Sequence, residues 1–374
     1  AAATLAWAPA LLLGALRARG GGLGGRTPSA WRGFMAAPWL AAHGLGGAPT
    51  AARAARRAPA LLARWASAEG PADPGNMAPL PVTEEGSGSE VLFFVHGWPD
   101  DEHLWDAQVA HFRERFRCLR VTMPHFAGRA GAEELGHQFG GLDFLEGGDL
   151  VAATIRAACP GCAVTLVIHD WGSLWGFFAQ LRHPELVKAV VAMDVGPPST
   201  FPAGMNSWGK VMVAGFAYQH WLLYAFLLAR STAGTALAGP GRWVADGMVR
   251  VMARVFQRGV GNKKDLYSDR ITADACYPYY FFQTNVGVRG APADEVEGPE
   301  PSCPCLFLYG KRKPGAFHRK GWEKQLRRRA DCRVVAMETG HWMQLERPQE
   351  VNRIMQEWLE VTLQRPGGGP SSKL

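Results

Sequence analysis

Acidic residues are absent from the first 68 positions of this 374-residue chain, and so is lysine. That stretch carries eight arginines, at 17, 19, 26, 32, 53, 56, 57 and 64, whereas the rest has 32 basic and 33 acidic residues. The net charge of +7 therefore belongs to the leader, which removes the main support for a nucleic-acid-binding protein. Long hydrophobic runs are also scarce. Pro9 to Leu16 is too short to span a bilayer, and the apolar stretch 208–229 is interrupted by Gln219 and His220. The latter reads as a buried or interfacial lid helix that can touch a membrane surface, not cross it. No internal repeat is present.

Cysteine is sparse and odd in number, seven in all, which excludes a secreted disulfide framework. Cys159-Pro160-Gly161-Cys162 has redox spacing, but it lies between a helix and a strand. Redox chemistry of that kind needs its thiol at a helix N-terminus. A turn with two buried thiols is expected instead. A zinc site joining this pair to Cys303 and Cys305 has only cysteine count behind it, so neither metal nor cofactor is expected.

Between its ends the chain alternates strands and helices, the mark of a parallel sheet with crossover helices. Strands are expected at 91–95, 118–123, 164–168 and 187–194, with helices at 101–116, 148–159 and from Gly172. The alternation stops from Val195 to about Pro301. It resumes with strands at 304–310 and 332–337, a helix near 321–329 and an amphipathic helix at 348–364. Five segments follow. They are a disordered leader and linker (1–76), a first core part (77–195), a helical lid (196–301), a second core part (302–364) and a tail (365–374). The leader has transit-peptide composition, with a start at Met35 or Met77 as the alternative. The tail ends in Ser372-Lys373-Leu374, a peroxisomal address read by an import receptor. Peroxisome is the favoured location, and mitochondrion or plastid follows if the leader is used.

A serine is missing where an esterase would put one. In "AVTLVIHDWGSLWG" the sharp turn between strand and helix holds Asp170, and Ser173 lies three residues past it. A carboxylate there is either an ordinary N-cap or a nucleophile that forms an ester. The small Gly172 lets the helix pack close. "FFVHGWPD" ends a second strand in a turn that can aim the backbone N–H of Trp98, with that of Trp171, at one oxyanion. "METGHWMQLERPQEV" places His341 between the last strand and the last helix, where a neutral imidazole can take a proton from water. His96 and His169 read as structural hydrogen-bonders.

The order of "HGWPD", "HDWGS", an insert and "GHWMQLERPQEVN" over residues 78–364 resembles the α/β-hydrolase superfamily, and within it the branch of epoxide hydrolases and haloalkane dehalogenases. The resemblance implies an α/β fold, a mostly parallel sheet with flanking helices and a helical lid inserted after the sixth core strand. It implies Asp170 as nucleophile, His341 as base, and Trp98 and Trp171 as the oxyanion hole. Many members carry the acid that orients the base just after the strand "LFLYG", where this chain has Lys311-Arg312-Lys313. Asp194, after the preceding strand, takes that role here, with Glu323 next in line. Two lid tyrosines donate to the leaving oxygen in epoxide hydrolases. The lid offers Tyr218 and the cluster Tyr277, Tyr279 and Tyr280, and the expected pair is Tyr218 with Tyr279 or Tyr280. The function implied is hydrolysis of a small apolar epoxide with water. The alternatives are dehalogenation of a haloalkane and a non-catalytic, lid-bearing binding protein.

Overall fold

The computed structural model describes residues 77–126, 141–197, 210–259, 270–282, 302–313, 317–318 and 320–363. The leader and the C-terminal tripeptide lie outside these. The described residues form one seven-stranded sheet in the order β1-β3-β2-β4-β5-β6-β7. Its strands are β1 (Val82–Glu85), β2 (Val91–Val95), β3 (Arg117–Val121), β4 (Val164–His169), β5 (Val187–Met193), β6 (Cys305–Gly310) and β7 (Arg333–Met337). All pairings are parallel except β1 with β3.

The central strands are buried on both faces, as their near-continuous apolar sequences require. Along β2 the side chains alternate between two cores. Leu92 and Phe94 join one with Trp105, Phe112 and Trp358, while Val91, Phe93 and Val95 join the other with Ile155, Leu174 and Trp175. The second core is supplied by α2 (Phe144–Ala158) and α3 (Trp171–Arg182), the first by α1 (Asp106–Phe112) and by the C-terminal helix Pro348–Leu363. A capping box between Asp143 and Glu146 starts α2 four residues before the expected onset.

Three features differ from the sequence expectation. β1 was not foreseen, because "VTEE" carries two acids and no alternation of apolar residues. It is an edge strand, held to β3 by the bidentate pair of Glu84 with Arg117 (2.6 and 2.8 Å) and by Glu85 with Arg120 (2.6 Å). The inserted helices α4 (Lys210–Thr232) and α5 (Ala238–Gly259) follow the fifth strand among the described residues, not the sixth. The expected pair of buried thiols is a disulfide, Cys159–Cys162, because Gly161 at φ +73° folds the turn until the Cα atoms are 5.6 Å apart. That removes both from any zinc set with Cys303 and Cys305. No described helix is long and apolar enough to cross a membrane.

The start of α3 lies hard against the end of β2. A Cβ on Gly172 would stand 2.4 Å from the carbonyl oxygen of His96 and 2.5 Å from that of Val95, both backbone atoms. Gly172→Ala is therefore expected to lower unfolding stability by about 1–3 kcal/mol. Urea denaturation measures this, and an unchanged midpoint would show that the helix can move away.

Candidate active site

Every candidate core residue lies at the carboxyl end of a parallel strand, the edge where open α/β sheets place their sites. Trp98 follows β2, Asp170 follows β4, Asp194 follows β5 and His341 follows β7. Asp170 has φ +54° and Asp194 φ +70°, in the left-handed region that side chains seldom adopt. Such strain costs about 1–3 kcal/mol and persists where packing enforces it. Here it lifts both carboxylates out of the sheet. Gly97 makes room for the first: a Cβ there would meet Asp170 Cβ at 2.4 Å.

The two oxygens of Asp170 have different company. Oδ1 accepts the backbone N–H of Trp98 at 2.8 Å, and the N–H of Trp171 also donates to the carboxylate. Oδ2 lies 3.3 Å from His341 Nε2. On the other side of the ring, His341 Nδ1 is hydrogen-bonded to Asp194 Oδ2. The side chains of Asp170 and His341 keep 18% and 16% exposure, while Asp194 has none. Asp170 and His341 thus remain partly accessible, and Asp194 is sealed. Glu323, the alternative acid, is engaged instead by Arg327 at 2.7 Å.

Burial alone would push the Asp170 carboxyl up, but the hydrogen bond and charge of His341 hold it below the usual carboxylate range. Asp194 is also held well below that range, by Lys313 and His341 against the opposing effect of burial. For His341, burial favours the neutral ring, yet the two carboxylates prevail and raise it to about 9. In the free protein the imidazole is therefore a cation between two anions. His96 and His169 are the structural groups expected. Met123 N–H donates to His96 Nε2 (2.9 Å), and His169 Nε2 donates to the His341 carbonyl (3.0 Å). Burial depresses them to about 4 and about 3, so both are neutral.

From the segment between β5 and β6, Tyr218 and Tyr279 both stand close enough to Asp170 for its charge to raise their pKa, after the larger effect of burial. Each phenol therefore stays protonated and can donate. Their rings meet edge to face at 6.1 Å, and Tyr279 also lies edge-on to Trp98 (5.7 Å) and Trp171 (5.0 Å). Of the expected alternatives, Tyr279 joins this group. Tyr280 has its ring on Phe226 and Phe281, and Tyr277 packs on Phe126 and Trp175.

Two groups escaped the sequence reading. Asp100, in "HGWPD", is buried with Oδ2 on the Trp342 indole N–H (2.9 Å), and burial pushes it up to about 7. Lys313 places its ammonium 2.5 Å from Asp194 Oδ1. The first could have been suspected from its motif. For the second, the only signal was a basic residue where an acid was sought.

Removing the charge of Asp194 leaves burial and Asp170 to set the ring. Asp194→Asn is expected to lower the titration midpoint of His341 by about two pH units. Ring NMR of the intact protein reads this, and an unmoved midpoint would assign the orienting role to another group.

The model of the Alpha/beta hydrolase family matches residues 92–354. Epoxide hydrolase 2 of Caenorhabditis elegans is 25% identical over 306 residues, covering 77% of this chain and 78% of that protein. Epoxide hydrolase 3 of Xenopus tropicalis is 22% identical over 274 residues, covering 72% and 71%. Among solved structures, an epoxide hydrolase from Bacillus megaterium aligns with a TM-score of 0.53 at 21% identity, covering 75% of this chain and 96% of that one. An esterase from Thermogutta terrifontis aligns at 0.52 and 17% identity, covering 76% and 93%, so the fold by itself does not choose the chemistry. The family match spans more than half of the sequence, and this chain belongs to the alpha/beta hydrolase family.

Proposed function

We propose that this protein opens an epoxide to a diol through an ester on Asp170. The observation that carries the reading is the surroundings of that carboxylate: Oδ1 on the Trp98 N–H, Oδ2 facing His341, and two protonated phenols across from it. A serine-type elbow would acylate; a carboxylate at the same point alkylates. The epoxide hydrolases among the relatives support the same reading.

In the first step Asp170 Oδ2 attacks an epoxide carbon and the carbon–oxygen bond breaks. Tyr218 and Tyr279 donate to the oxygen as it becomes an alkoxide, which takes up the proton that the imidazolium of His341 gives up, leaving the ring neutral. Oδ1 becomes the ester carbonyl oxygen and is already on the N–H of Trp98. In the second step His341 Nε2 takes a proton from water, and the water oxygen bonds to the ester carbon. The N–H groups of Trp98 and Trp171 stabilise the resulting oxyanion. The bond from the ester carbon to Oδ2 breaks, and the diol leaves with Oδ2 and the proton from His341. The remaining proton of the water passes from the new Asp170 carboxyl to His341, which restores the resting site. Esterification also removes one of the two negative charges that keep His341 protonated, so the pKa of the ring falls and it can stand neutral, ready to accept a proton, when the ester appears.

His341→Gln is expected to stop the reaction at the ester. Intact-protein mass then rises by the mass of the substrate, and Asp170→Ala abolishes the adduct. The panel is fatty-acid and aryl epoxides alongside haloalkanes, and adducts from haloalkanes alone would replace the epoxide reading with dehalogenation. A folded Asp170→Ala protein that still turns over epoxide would remove the covalent mechanism.

Tyr218→Phe and Tyr279→Phe should each slow ester formation about 10²–10³-fold, the usual effect of losing one donor to a developing oxyanion. Hydrolysis of the ester should be unaffected. Single-turnover kinetics separate the two steps, and wild-type ring opening in both variants would take the phenols out of the mechanism.

A further inference from the structure

Lys313 is an unusual neighbour for an orienting acid. Its side chain is 7% exposed, and its ammonium lies 2.5 Å from Asp194 Oδ1 and 3.2 Å from the Asp194 carbonyl oxygen. The same ammonium sits 4.6 Å from the centre of the Phe317 ring. Gly310 N–H donates to the same Oδ1 at 3.1 Å, while Oδ2 serves His341. One buried carboxylate thus faces two cations. The basic run around Lys313 is anchored as well: Lys311 pairs with Glu338, and Arg312 with Glu346, which accepts the N–H of Gly340 beside His341.

Counting charges shows what this arrangement does. In the free site Asp170 and Asp194 are balanced by His341 as a cation and by Lys313. Once Asp170 is an ester, Asp194 and Lys313 balance each other, and the proton on His341 is the excess charge. Without Lys313, that proton would itself be the only counter-charge of a fully buried Asp194. The low-polarity surroundings would then hold it on the ring.

We propose that Lys313 is a positioning residue that acts through Asp194, neutralising it so that His341 is free to take the proton of the hydrolytic water. This rests on the two-step reading of Asp170 given above. The other groups facing the pair are Asp170 and His169 at the end of β4, Asp100 after β2, the phenols of Tyr218 and Tyr279 from the lid, and His318 beyond Lys313, itself opposed by Glu323 at 3.6 Å. None of them replaces an ammonium on Asp194 Oδ1.

The test needs no turnover. Asp170→Asn gives position 170 the charge of the ester, and ring NMR of the full chain follows His341 through its titration. Adding Lys313→Met is expected to raise the midpoint by about one to two pH units, the size of a unit charge a few ångströms away at an effective dielectric of about 20. Adding Lys313→Arg, which keeps the charge, should leave the midpoint near that of Asp170→Asn alone. An equal midpoint in the Met variant, or the same rise in the Arg variant, overturns the proposal. If the Met variant is unfolded by circular dichroism, Lys313→Gln replaces it under the same criteria. With Asp170 intact, Lys313→Met should form the ester at the wild-type rate and hydrolyse it at least tenfold more slowly at pH 7, recovering as pH rises. A slowing that does not recover would also overturn it. A wild-type protein that opens no epoxide would sink the functional reading and leave the titration result standing.

Discussion

Two carboxylates, an imidazolium and an ammonium lie within hydrogen-bonding reach of one another at the carboxyl edge of the sheet. Each ion alone would cost several kcal/mol to bury, and together they are tolerable only because their signs alternate and their remaining oxygens meet N–H groups. The rest of the edge is arranged to keep that alternation. Left-handed turns raise Asp170 and Asp194 out of the strands, and Gly97 leaves space beside the first. The His169 side chain holds the carbonyl of His341 in place.

That balance is also what makes the site changeable. A group whose charge is set by its neighbours responds when one of them is neutralised, and His341 depends in this way on both Asp170 and Asp194. The raised pKa of His341 is therefore a property of its two charged neighbours and not of the ring itself. Tyr218 and Tyr279 contribute the opposite kind of group, phenols that burial keeps protonated. Groups that do not ionise thus stand near Asp170 together with a ring that can.

The motifs were legible because each is local. "HGWP", "HDWG" and "GHW" are strand-end turns, and a turn is fixed by the few residues within it. Alternating apolar runs likewise announced six of the seven strands. β1 was hidden because an edge strand held by ion pairs needs no apolar pattern. The 101–116 stretch reads as one helix but is a 3-10 turn (Glu102–Trp105), capped by Asp101 accepting from His103 N–H at 2.9 Å, followed by α1, which ends at Phe112.

The sequence by itself determined the fold class and the places of Trp98, Asp170, Trp171 and His341, since each is set by residue type at a sharp turn after a strand. Only the tertiary structure decided between groups that lie far apart in the chain. It put Asp194, 147 positions away, on His341, and gave Glu323 to Arg327. It chose Tyr279 over Tyr280, because neighbours on a helical turn point about 100° apart and one alone can face Asp170. It brought Lys313 onto Asp194 across 119 positions, where the sequence offered only a basic residue in a loop. Pairings of this kind depend on which strands lie side by side. Strand order is settled by packing of the whole sheet, not by any local run of residues.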